Sequence, residues 1–133
     1  MNKSPLTTPY TRAEIKDDIL YFTYLPGVVI TLDIAKEVVK KRLEYVEGIK
    51  YPVIVMGEGL RSMDKQARDY LSSEGIRDII AGALLVNSVY TEFFGNFFLR
   101  ITKPAIPARV FTDEKRALEW LQQFKPQPVM ADS

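Results

Sequence analysis

Two short, nearly uninterrupted apolar runs constrain this chain more than any other feature: YPVIVM at residues 51–56 and IIAGALLV at residues 79–86. Runs of this length without polar alternation suit strands covered on both faces. Such strands belong in the middle of a largely parallel sheet with helices above and below. Periodicity alone does not separate IIAGALLV from a buried helical segment; its flanks favour a strand.

Helical patterns surround these runs. Ile34, Val38, Val39, Leu43 and Val46 recur at helical spacing, Thr31 is placed to cap that helix, and Gly48 falls where a left-handed end would lie, which predicts a first helix over residues 32–47. Met63, Ala67, Tyr70 and Leu71 mark the inner face of a second helix ending at Gly75. SVYTEFFGNFFL, residues 88–99, reads as a third, aromatic helix, PARVF as a last strand, and residues 113–124 as an amphipathic helix with Ala117, Leu118, Leu121 and Phe124 inward. Ahead of all these, AEIKDDILYFTYLPG holds two extended runs around Asp17-Asp18 and closes on the turn pair Pro26-Gly27, the pattern of a hairpin.

The order is hairpin, helix, then strand and helix three times. It predicts a single α/β (α+β) domain with a mixed sheet of four to six strands, an antiparallel N-terminal edge and about four helices. With 133 residues one core suffices. The proline-bearing ends, residues 1–9 and 125–133, are expected to be flexible tails around a domain at 10–124.

Composition narrows function by subtraction. The chain has no Cys, which excludes thiolate nucleophiles, and no His, which removes the commonest general base near neutral pH and the commonest transition-metal ligand. No acidic cluster suggests a metal site, so no cofactor is expected. A net charge of +1, spread along the chain, gives no basic patch for nucleic acid. The longest uncharged stretches, Ile19 to Leu32 and Ile79 to Thr91, are about 14 and 13 residues, against about 20 for a membrane span, and MNKSPLTTPY lacks the apolar segment of a signal peptide. A cytoplasmic protein without a membrane span is expected.

Two places attract a functional reading. The first is MGEGLRSMDK, between the first apolar run and the second helix. Ligands in open α/β sheets gather beyond strand carboxyl ends, where helix N-termini point. Capping by Ser62, an Asp64 in the first helical turn and the turning freedom of Gly57 and Gly59 account for much of this loop; Glu58 and Arg61 stay unexplained. Arg61 and the helix-start N–H groups could bind an anion, or Ser62 could be phosphorylated. The second is the aromatic segment: Phe93, Phe94, Phe97 and Phe98 cannot share one side of a helix, because successive residues lie about 100° apart. Part of that surface must meet a loop, a second subunit or a ligand, which points to a homodimer or an apolar pocket. Trp120 reads as a core or lid residue.

RVFTDEKRALEWL, residues 109–121, read with the order of elements, resembles the SpoIIAA-like branch of the STAS fold. Small bacterial members end with a Val-Phe strand, an acidic turn and an Ala-Leu-x-Trp-Leu helix, here Val110, Phe111, Asp113, Ala117, Leu118, Trp120 and Leu121. ITKPAIPARVF and FFGNFFL are similar to the same family. The best known members are anti-sigma-factor antagonists in which a serine of Asp-Ser-Ser-Gly, at the start of the helix after a central strand, is phosphorylated. Met63 and Asp64 match the Met-Asp of that motif, but Lys65, Gln66 and Ala67 stand where the serines and glycine would be. The resemblance therefore implies a non-enzymatic regulatory or protein-interaction module without the phosphoacceptor, contacting a protein partner through Glu58, Arg61, Ser62, Asp64 and Lys65. The rival expectation is a carrier or sensor of a small apolar or amphipathic molecule, as in related SEC14-like lipid proteins, with a pocket lined by Tyr70, Tyr90, Phe94 and Phe98.

Overall fold

Both apolar runs form central parallel strands. A computed structural model of the chain describes residues 3–88, 92, 95, 96, 99, 100 and 103–129. The strands are β1 (Lys3–Thr7), β2 (Thr11–Lys16), β3 (Ile19–Tyr24), β4 (Val28–Ile30), β5 (Ile49–Met56), β6 (Leu60–Met63), β7 (Ile79–Leu85), β8 (Ala108–Phe111) and β9 (Gln127–Pro128). The helices with defined bounds are α1 (Leu32–Val46), α2 (Lys65–Ser73) and α3 (Glu114–Leu121), and a 3-10 turn follows α2 at Glu74–Ile76. Of the aromatic segment expected to be helical, Glu92, Gly95, Asn96 and Leu99 are helical, as is Arg100 just after it.

The main sheet runs β1-β2-β3-β5-β7-β8, with β9 beside the start of β5, and β4 and β6 form a separate parallel pair. It is a mixed sheet, as expected. It has seven strands rather than four to six because both supposed tails contribute one. β1 pairs antiparallel with β2, and its register shifts between Lys3 and Leu6, around Pro5, which has no N–H to give the ladder. The Tyr45 hydroxyl donates to the Ser4 carbonyl at 2.7 Å and ties β1 to α1. At the other end β9 pairs with Ile49 and Lys50, and the Val129 N–H donates to the Gly48 carbonyl at 2.8 Å.

The β2–β3 turn puts Asp17 at φ 52° and Asp18 at φ 66°. Two successive left-handed residues make the type I′ turn whose twist matches that of the strands it joins. Pro52 breaks the usual rule against proline in a central strand. It sits where the β5–β7 register shifts, between Tyr51 and Pro52, so the missing N–H falls on an irregular step of the ladder.

Alternation along the strands divides the core in two. Leu20, Phe22 and Val53 face α1 and α2 with Ala35, Val38 and Ala67. Ile19, Ile54, Ala81, Ala83 and Phe111 face α3 with Ala117 and Leu121. Trp120 is partly buried at the edge of this second cluster, its ring 5.8 Å from Phe111 and 5.1 Å from Phe124, so it is a lid over the α3 face. No helix among the described residues is long and apolar enough to cross a membrane.

Candidate functional site

The β-strand side chains that point toward α1 and α2 do not meet the helices everywhere. A cavity of about 560 Å³ lies between them, within the usual range of about 300–1,000 Å³ for small-molecule sites. Its floor is the sheet: Phe22 and Tyr24 of β3, Val53 and Val55 of β5, Gly82 and Leu84 of β7. Val38, Val39 and Arg42 of α1 form one wall, and Leu60 and Met63 of β6 form another.

Gly82 shows that the space at the floor is real. A Cβ built on it would meet nothing within 4 Å. Glycine inside a strand weakens it, and where no neighbour demands one the vacancy leaves room for something else to approach the backbone. On either side of it Ala81 and Ala83, turned to α3, are both fully buried.

Arg42 is the polar feature of the cavity. It sits on the buried stripe of α1 between Val38 and Val46 and is only 4% exposed. One terminal nitrogen, Nη2, donates to the Gly75 carbonyl at 3.1 Å and the Arg77 carbonyl at 2.8 Å, joining α1 to the turn that leads into β7. The other, Nη1, is buried and has no hydrogen-bond partner among the described residues. Burial pulls the guanidinium down to about 10, with Asp78 and then Tyr24 partly opposing the shift, so it stays charged at neutral pH. Tyr24, on the cavity floor, is pushed up to about 12 by burial, with Arg42 opposing. Arg68, on α2, stands exposed at the rim. Arg109 belongs to the other face of the sheet, where its guanidinium lies 5.0 Å over the Phe111 ring. No acidic residue lines the cavity among the described residues.

A family model described as a domain of unknown function, DUF7793, matches residues 13–125. The chain belongs to the DUF7793 family. Among curated proteins none matches the sequence. An uncharacterised protein of the DUF3478 family from Shewanella loihica PV-4, solved by crystallography and described as having a SpoIIAA-like fold, is similar to the DUF7793 chain. The TM-score is 0.59 at 16% identity, covering 84% of this chain and 91% of that one. The SpoIIAA-like fold read from the C-terminal motif is therefore the fold of this DUF7793 domain. At that identity the likeness concerns the fold alone.

The loop singled out in the DUF7793 sequence proves to be mostly strand. Leu60–Met63 is β6, paired parallel with β4 through Val28↔Leu60 and Ile30↔Met63. Ser62 therefore does not cap α2. Asp64 does, its carboxylate accepting from the Ala67 N–H at 2.8 Å, so the helix begins two residues later than a Ser62 cap would place it. Met63, expected on the inner face of α2, belongs to β6. Gly59 has a packing reason: a Cβ there would strike the Tyr24 carbonyl oxygen and come within 2.9 Å of Leu25.

Glu58, Arg61, Ser62, Asp64 and Lys65 are all exposed, and Lys65 pairs with Asp69 at 2.9 Å. They share one segment, but none of them lines the cavity; Leu60 and Met63 of the same strand do. Lys65, Gln66 and Ala67 occupy the first turn of α2. Tyr70 is partly buried against the α1–α2 core cluster and is not part of the cavity lining. Tyr90, Phe94 and Phe98 lie outside the described residues. Sequence reading passed over Arg42, although its position was informative: it lies four residues after Val38 and four before Val46, on the apolar stripe.

Proposed function

We propose that this chain is a non-enzymatic binding module that takes a small, largely apolar molecule into the cavity between the sheet and α1–α2. The observation that carries this reading is the cavity itself, about 560 Å³ in size, with Gly82 opening onto it from a central strand. A carrier or sensor needs a concave, mainly apolar site with few polar groups, and it needs no nucleophile or base. A chain without His or Cys lacks the usual catalytic partners.

The test fills the cavity from the sheet. In Gly82→Leu the new side chain occupies the open space, so thermal stability should be equal to or above that of the wild type while binding of an apolar probe such as dodecanol, measured by calorimetry, falls at least about tenfold. Full binding in a folded Gly82→Leu protein would place the ligand elsewhere.

One observation favours a second reading, a protein-interaction role. Strand β6 turns Leu60 and Met63 to the cavity and Arg61 and Ser62 to solvent, so occupation of the cavity could be felt at the exposed strip. Under that reading Arg61→Glu abolishes recovery of a specific partner in pull-downs from host lysate, and a partner retained by the variant contacts another surface.

A further inference from the structure

An arginine is a costly way to fill an apolar wall. Its side chain loses water on burial, and a buried donor without an acceptor adds to that cost. Nη2 has two carbonyl partners and a plain structural purpose. Nη1 has none among the described residues, although the charge of Asp78 reaches the guanidinium without forming an ion pair. The cavity that Arg42 helps to line offers no carboxylate among its described residues, and the other cation with its side chain on this face, Arg68, lies at the exposed rim. One buried cation with an unpartnered Nη1 therefore stands in a mainly apolar chamber, with the Tyr24 phenol on its floor.

We infer that the ligand of this cavity is a monoanionic amphiphile, an apolar body whose carboxylate accepts from Arg42 Nη1. The inference rests on the binding reading above and adds to it the chemistry of the ligand and the residue that selects it. Water does not reach Nη1 in this conformation. An oxygen acceptor meets it only when the surrounding side chains give way slightly, and the charge on both partners is what drives that adjustment. The tether through Nη2 to Gly75 and Arg77 fixes the guanidinium while the free edge engages the ligand.

Calorimetry with dodecanoate and dodecanol, which share one apolar body and differ in the head, separates the two levels of the idea. The wild type should bind dodecanoate at least about tenfold more tightly than dodecanol, and Arg42→Gln should reduce that ratio to about threefold or less, whereas Arg68→Gln at the rim should leave it intact. Equal binding of acid and alcohol overturns the assignment of Arg42 and leaves the cavity reading standing. Binding of neither overturns both. An acid preference that survives Arg42→Gln, or one that vanishes in Arg68→Gln, overturns Arg42 as the selecting residue. If Arg42→Gln fails to fold, guanidinium NMR of the wild type decides: the Arg42 signals must shift with dodecanoate and stay in place with dodecanol.

Discussion

The two faces of one strand, β7, are covered in opposite ways. Toward α3, Ala81 and Ala83 are fully buried, and Ala117 and Leu121 of the helix are fully buried against that side. Small residues on both surfaces let helix and sheet approach until nothing is left between them. Toward α1 and α2, Gly82 meets no atom where a Cβ would be, and Leu84 faces the cavity. That side also holds the buried Arg42 and Tyr24, while the residues fully covered by α3 are all apolar. The same sheet thus has one side organised for close packing and one organised around a space with a charge in its wall.

The largest expected difference comes from truncating one leucine on each face. Leu121→Ala should lose about 2–5 kcal/mol in chemical denaturation, since a fully buried side chain leaves a void that close-packed neighbours cannot fill. Leu84→Ala, which already borders open space, should lose no more than about half as much. Equal losses would mean that the α1–α2 face is packed as tightly as the other.

The next effect is alkaline. Below pH 10 the Tyr24 phenol is protonated in the folded and unfolded chain alike. Between pH 10 and about 12 only the unfolded chain ionises, so Tyr24 withdraws stability as pH rises, on the order of 2–3 kcal/mol over the interval. In Tyr24→Phe, denaturation midpoints should fall less steeply across that window than in the wild type. Parallel slopes would mean that the phenol is wetter than its position on the cavity floor implies.

The smallest effects concern the start of α2. Asp64→Ala should cost about 1 kcal/mol by loss of the cap, and Ser62→Ala, an exposed strand position, should stay within about 0.5 kcal/mol. A larger loss for Ser62→Ala than for Asp64→Ala would return the cap to Ser62 and undo the β6 assignment.

Much of the frame was legible because it depends on local pattern. The unbroken apolar runs at 51–56 and 79–86 mark strands covered on both faces, Ala117 and Leu121 repeat at helical spacing, and Asp17-Asp18 marks the hairpin turn. The strands at the ends were missed because Lys3–Thr7 and Gln127–Pro128 carry weak local signals and become strands only by finding partners in β2 and β5. In the loop before α2 the charged Glu58 and Arg61 are the conspicuous residues in sequence, while Leu60 and Met63 line the cavity.

Residue identity and near-neighbour pattern suffice for the order and type of the main elements, for the absence of His and Cys chemistry, and for Lys65, Gln66 and Ala67 in the first turn of α2. These follow from residue identity and from contacts a few positions apart. Long-range packing alone buries Arg42 with Nη2 bonded and Nη1 without a partner among the described residues, opens Gly82 on a chamber, and makes β6 its wall. Each of these depends on how far a helix stands from a sheet. That distance is set by side chains tens of residues apart in the chain, and no local pattern records it.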